Sequence, residues 1–299
     1  MASQVINGKA FEWAVGNELC EGCGLTLIND SAAKRNYECF MDYSITSKQR
    51  DIYCRSAYHA VQHIIEKENI GTEGTVRFLD DKMGEEGDVR DIVITSHGRE
   101  IGISCKTNHE AYKHSRLSDK VNFIQKWGLH SAGCSAEYFS TISPIFEELR
   151  QLKRESKGKL KWSDVDNVPY RYYWPILNAF QTEIEKVHEI NPEMSKQFIR
   201  YLVGSKDFYK IISKPKEVII SAYNLNGTLN LPVPPLPDKI DLIKDKNSSQ
   251  YSKTIIFSKG WTFNFRIHSA SSRVEPSLKF DVNAISLSPK LYNHHILFE

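Results

Sequence analysis

Two short β-branched runs, "DIVIT" (91–95) and "REIGISCK" (99–106), stand on either side of "SHG" (96–98). So short a connection allows only a turn back, and the runs are expected to pair as an antiparallel hairpin. That pairing constrains the chain more than any other local feature. It brings Asp91, at the start of one strand, to the same end as Lys106, at the end of the other.

A carboxylate beside an ammonium suits phosphodiester hydrolysis. A hard divalent cation, usually Mg2+, takes oxygen ligands and neutralises the phosphate. A nearby cation orients the attacking water and favours its hydroxide form. Taken alone, the same pair also fits an ordinary ion pair at a sheet end. The residues after Lys106 shift the balance. "TNHEAYKHSRLS" (107–118) holds Asn108, His109, Lys113, His114, Ser115 and Arg116, donors suited to phosphate oxygens and base edges.

Around the hairpin the pattern is mixed. A first helix is expected over 7–19, capped by Asn7, with Phe11, Val15 and Leu19 as its apolar stripe and Glu12 at the stripe's edge. Further helices are expected at 48–68, 118–128 (capped by Ser118), 143–158 (Ser143 cap, Pro144 in the first turn), 174–190 and 191–204. Strands are expected at 75–80, from "EVIISAYNL", and from "KTIIFS", "WTFNFRIHSA" and "SLKFDVNAISL". The aromatics of 261–265 read as core. "LPVPPLPD" (231–238) reads as a stiff linker or strap. The organisation expected is α/β: a nuclease-like half with the hairpin at 1–142, a helical region at 143–214, and a β-rich region at 215–299.

Composition is that of a soluble domain, with 40% hydrophobic and 25% charged residues. No apolar run approaches the ~20 residues of a membrane span, and the N-terminus lacks a signal-peptide order. A cytoplasmic protein without a membrane partner is expected. The net charge is only +2, but basic residues cluster locally, in "RQLKRESKGKLK" (150–161) and in 258–279. Such clusters interleaved with aromatics and hydroxyls suit a nucleic-acid backbone, although each alone also fits solvated surface. Cys20 and Cys23 form a CxxC pair followed by Cys39 and Cys54. The spacing matches no zinc ribbon or finger, and ordinary reduced cysteines are expected.

"GDVRDIVI…EIGISCKTNHEAYKHSRLS" resembles the core of PD-(D/E)XK nucleases, and more narrowly the HaeIII-type restriction endonucleases. "NGKAFEWA" is similar to an early helix of many restriction enzymes, and "FRIHSASSRVEPSLKFDV" to a late segment of the same group. The resemblance implies a mixed sheet flanked by helices and a type II enzyme that cuts both strands of duplex DNA with Mg2+ at a short palindrome. It suggests GGCC as the site, cut centrally to blunt ends. Asp91 would bind metal and Lys106 would stand near the attacking water. Ser104 occupies the place where most of the superfamily keeps an acid, so the second carboxylate must come from elsewhere. Glu12 is the first choice, with Asp88 and Glu110 in reserve; Cys105 joins Asp91 and Glu12 in the expected metal set. Asn108, His109, Lys113, His114, Arg116, Arg266, His268, Ser271, Ser272, Arg273 and Lys279 are expected to bind DNA. A palindrome suggests a homodimer, with a monomer nicking each strand in turn left open. Another nuclease of the same core, acting in repair or on modified DNA, and a DNA-binding protein without catalysis are the competing readings.

Overall fold

A computed structural model describes residues 3–80, 88–108, 113–129, 131–245 and 251–298. In chain order, α1 (Ser3–Glu21), β1 (Thr26–Leu27), α2 (Ser31–Met41) and α3 (Ser47–Glu68) lead into the strands β2 (Thr75–Phe78), β3 (Ile92–Ser96) and β4 (Arg99–Thr107). Then come β5 (Lys113–Leu117) and the helices α4 (Phe123–Lys126), α5 (Ala136–Glu155), α6 (Trp174–Ile190) and α7 (Met194–Val203). The strands β6 (Phe208–Lys214) and β7 (Glu217–Tyr223) precede β8 (Ile240–Asp245), β9 (Ser252–Phe257), β10 (Thr262–Ser269), β11 (Leu278–Ser286) and β12 (Tyr292–Leu297).

The chain's contacts gather it into two compact units that interleave in sequence. One takes residues 1–110, 204–234 and 290–299, the other 111–203 and 235–289. Three consecutive regions had been expected, at 1–142, 143–214 and 215–299; the contacts cut elsewhere, because strands from distant stretches share one sheet. One cut falls inside the proline-rich segment, between Pro234 and Pro235.

The first unit is a mixed sheet in the order β1-β2-β3-β4-β6-β7-β12. The hairpin forms as expected, with Ile92 opposite Ile103 and Ser96 opposite Arg99. On the other side β4 pairs in parallel with β6, Ser104 opposite Lys210. Ile101, Ile103 and Cys105 of β4 join Phe11 and Val15 of α1 and Ala57, Val61 and Ile64 of α3 in one buried cluster. The alternate residues Gly102, Ser104 and Lys106 therefore belong to the strand's other face.

Several helix boundaries differ from expectation for identifiable reasons. α1 starts at Ser3, not Asn7. Asn7 Oδ1 instead accepts from Gln49 Nε2 and Tyr53 OH, both at 3.2 Å, and ties α1 to α3. α5 starts at Ala136 and carries Pro144 inside it. Its cap is Ser135, whose Oγ accepts from Tyr138 N at 3.1 Å while Glu183, far along the chain, takes the Ser135 N–H at 2.6 Å. A long-range carboxylate thus fixes a start that local pattern assigns to Ser143. The helix expected over 118–128 shrinks to α4, because Asn122 caps it. Asn191, expected to open a helix, closes α6.

The second unit pairs β5-β11-β10-β9-β8. Its core is aromatic: Phe180 lies 5.4 Å from Phe265 and 5.0 Å from Phe280, and Phe198 5.7 Å from Phe265. Trp261, Phe263 and Phe265 are fully buried, as the sequence led one to expect. Among the described residues no helix is long and apolar enough to cross a membrane.

α1 lies tight against the sheet at Gly16, where a Cβ would stand 2.3 Å from the Phe78 ring. Phe78 is itself buried and has nowhere to retreat. Gly16→Val should therefore cost about 1–3 kcal/mol by overpacking, read as a lower urea midpoint at unchanged slope.

Candidate active site

The site begins where the β3–β4 ladder ends. Asp91 N donates to Ile103 O at 2.8 Å, and Leu79 N donates to Asp91 O at 2.9 Å, so the Asp91 backbone is held from both sides. Beyond that point β3 has no further residue to pair with Cys105. The Asp91 side chain takes over: its Oδ2 accepts from Cys105 N at 2.7 Å, Ser104 Oγ at 3.0 Å and Lys106 Nζ at 3.2 Å. All three donors fall on Oδ2. Among the described residues Oδ1 receives none.

Burial works against the Lys106 ammonium, but the charge and hydrogen bond of Asp91 outweigh it, and the Lys106 pKa is raised. Lys106 stays charged at neutral pH. Its side chain is 36% exposed, so the cation remains reachable from solvent.

Glu12 arrives from α1 and is buried. Burial, then the negative charge of Asp91, push its carboxyl up to about 7, against the pull of Lys9 and Lys106. Two groups hold it in place. Lys9 Nζ reaches both of its oxygens at 3.0 Å, and Asn36 Nδ2 donates to Oε2 at 2.9 Å. Asn36 Oδ1, also buried, has no partner among the described residues. Neither Lys9 nor Asn36 was singled out from sequence. Lys9 had a signal: it sits one helical turn before Glu12 in "GKAFE". Asn36 had none, since only the packing of α2 brings it to Glu12.

The reserve acids do not join this group. Asp88 is clamped by Arg90, whose Nε lies 2.8 Å from Oδ1 and whose NH2 lies 2.7 Å from Oδ2, and Arg90 also holds Glu100 at 3.0 Å. Glu110 and His109 lie outside the described residues. The Cys105 side chain faces the apolar cluster, and burial pushes its thiol pKa well up. A neutral thiol is a poor ligand for a hard cation. The Cys105 carbonyl shares the lateral direction of its N–H, toward Asp91. Among the described residues no three His, Cys, Asp or Glu side chains gather as a metal site, and this includes the four cysteines Cys20, Cys23, Cys39 and Cys54.

The expected DNA-binding residues fall into three sets. Asn108 closes β4 in the left-handed region, φ 58°, with its side chain exposed. Ser271, Ser272 and Arg273 are exposed in the loop after β10. Ser271 Oγ bonds the Arg273 carbonyl at 3.0 Å, and Arg273 bridges to Lys161, which belongs to the basic stretch 150–161. The third set shares one face of the second sheet. Arg116 stands opposite Lys279, and Lys279 opposite His268; His114 stands opposite Asp281, and Asp281 opposite Arg266. Residues directly opposite share a face, and the alternate positions Phe265, Ile267, Leu278 and Phe280 are buried in the aromatic core. Lys113 pairs with Val282 and so belongs to the other face of β5 by register. That a polar run after the β3–β4 hairpin would become an edge strand beside β11 was not read from sequence. Asp281, which joins Arg266 and His268, was likewise missed.

Comparison with known proteins identifies the family. The family model described as "HaeIII restriction endonuclease" matches residues 8–288. The chain is 37% identical to the "Type II restriction enzyme HaeIII" of Haemophilus aegyptius, over 94% of this chain and 94% of that protein. No solved structure matches it. A family model that spans both units, a relative aligned over nearly its full length and the Asp91–Lys106 pair at the hairpin's end lead to one conclusion: the chain belongs to the HaeIII restriction endonuclease family and is a type II restriction endonuclease.

Proposed function

We propose that the first unit cleaves the phosphodiester with Mg2+ and that the second unit carries the sheet face that reads the DNA. The observation that carries the catalytic half is the Asp91 cradle: one carboxylate whose Oδ2 is saturated by Ser104, Cys105 and Lys106 while Oδ1 receives no donor among the described residues. This is a PD-(D/E)XK arrangement with the usual second acid replaced. Ser104 no longer ligates; it orients Asp91. Glu12 supplies the missing charge from a helix.

The residues present fit a hard cation. They offer Asp91 Oδ1, the Glu12 carboxylate and the Cys105 carbonyl, all oxygens of the kind Mg2+ takes. Burial, and after it the negative charge of Asp91, raise the pKa of Glu12, and a cation would relieve the second of these. When bound, Mg2+ would neutralise the scissile phosphate and make bound water more acidic. The chain's own groups do the rest. Asp91 and Glu12 fix where positive charge accumulates. Lys106, charged because Asp91 raises its pKa, acts as an electrostatic aid and not as a base. It orients the attacking water and stabilises the hydroxide as it forms. Water oxygen attacks phosphorus in line and gives up a proton to bulk solvent, the bond to the 3′ oxygen breaks, and that oxygen takes a proton from solvent as it leaves, giving 5′-phosphate and 3′-hydroxyl ends.

Likeness to the family favours GGCC, cut at its centre to blunt ends, and a palindrome favours a two-fold dimer, one site per strand. Sequencing the ends of digested phage DNA tests site and cut position together.

Asp91→Ala and Lys106→Ala should each lower cleavage by about 10²–10⁴-fold while leaving duplex retention in a gel largely intact. Loss of retention in step with cleavage would point to misfolding instead. A second expectation concerns pH. With its folded pKa near 7, above the ordinary carboxyl value of 4.5, Glu12 holds its proton more tightly in the folded state. The metal-free protein therefore loses stability as pH rises from about 4.5 to about 7. Added Mg2+ should raise the melting temperature more as pH rises through that window, and Glu12→Gln should flatten this dependence. A Mg2+ effect independent of pH in the parent protein would remove Glu12 from the metal set.

A further inference from the structure

The outer face of the second sheet carries Arg116, Lys279, Arg266 and His268 around Asp281. Among the described residues that the strand registers place on this face, Asp281 is the only acid. A negative charge in the midst of a face that meets phosphates weakens attraction to DNA. Its presence calls for a reason other than affinity.

Its contacts supply one. Asp281 is buried. Its Oδ2 faces His268 Nε2 at 2.6 Å and Arg266 NH2 at 3.4 Å. His268 Nδ1 faces the Ser269 carbonyl at 2.9 Å. Both ring nitrogens of His268 are thus committed to acceptors within the chain, and no donor remains for a base. Arg266 is different. It gives one amino group to Asp281, and among the described residues its Nε and its other amino group have no partner. Its side chain is 47% exposed. An arginine held at one corner by a carboxylate keeps part of its fork free and loses less freedom on docking. Two parallel donors from such a fork match O6 and N7 of guanine.

We propose that Asp281 is the positioning residue for sequence discrimination: it aims Arg266 at a guanine and pins His268 beside it as a support that reads no base. This rests on the reading of the second sheet as the recognition face.

The test compares the parent protein with Asp281→Asn, Arg266→Ala and Arg266→Lys. Each is assayed with Mg2+ on the mapped cognate duplex and on every single-base-pair variant of it. Binding to an unrelated duplex without metal and thermal melting are followed in parallel. Asp281→Asn should lose about 10-fold in discrimination at one guanine position. Its binding to unrelated DNA should stay level or tighten, because a negative charge has gone. Arg266→Lys, which keeps the charge but not the fork, should relax the same position. In the Arg266→Ala background Asp281→Asn should add little. A residue needed only for folding would instead weaken both kinds of binding and lower the melting temperature. If Arg266→Ala relaxes a position and Asp281→Asn leaves it intact, the positioning role is wrong and the recognition face stands. If Arg266→Ala relaxes no position, the recognition face itself is wrong, and the positioning role falls with it. Should Asp281→Asn fail to fold, Asp281→Glu decides: it keeps the charge and displaces the acceptor, so unchanged discrimination there overturns the inference.

Discussion

The site depends on one hydrogen bond, from the Cys105 N–H to the Asp91 carboxylate at 2.7 Å. β3 begins two residues short of a partner for Cys105, and a buried N–H left unmatched is costly. The Asp91 side chain stands in for the missing strand. By doing so it is locked against the end of β4, with Ser104 and Lys106 on the same oxygen. The structural need to finish a ladder and the chemical need to hold a carboxylate beside a lysine are met by the same atoms. The oxygen left over is the one a cation would take.

The exchange of an acid for Ser104 moves charge from the strand to a helix. Glu12 sits in a buried setting that by itself disfavours a carboxylate, as its raised pKa shows. Lys9 and Asn36 offset part of that cost and fix its position. A carboxylate on a helix is set by how α1, α2 and the sheet pack, whereas one on β4 would be set by the strand alone. The position of Glu12 is therefore coupled to the packing of the first unit, including the close approach of Gly16 to Phe78.

On the proposed reading of the second sheet, discrimination and affinity pull apart. A uniformly basic face would hold DNA most tightly and read it least. One buried acid among the bases gives up some attraction and orders the side chains around it. The chain passes from β4 to β5, the first strand of the second sheet, with only residues 108–112 between them.

The hairpin, Asp91 and Lys106 at one end of it, and Glu12 on the first helix were legible in the sequence, because each follows from local periodicity or from a motif of fixed spacing. So were the apolar aromatics of 261–265. The start of α5 was not, since Glu183 determines it from another helix. Nor were β5, β6, β8 and β12 read as strands; β5, β8 and β12 are polar, and polar strands declare themselves only through the partner they pair with. Asp88 looked like a reserve ligand until Arg90 was seen to hold it. Asn36 and Asp281 gained their roles only when the packing brought them against Glu12, Arg266 and His268, whereas Lys9 had a local signal that went unread. Local sequence determined which groups could do the chemistry and which strand would deliver them. The tertiary structure decided which charges meet, because charges meet through space, and the spacing of residues along a chain fixes distances only over a turn or a hairpin.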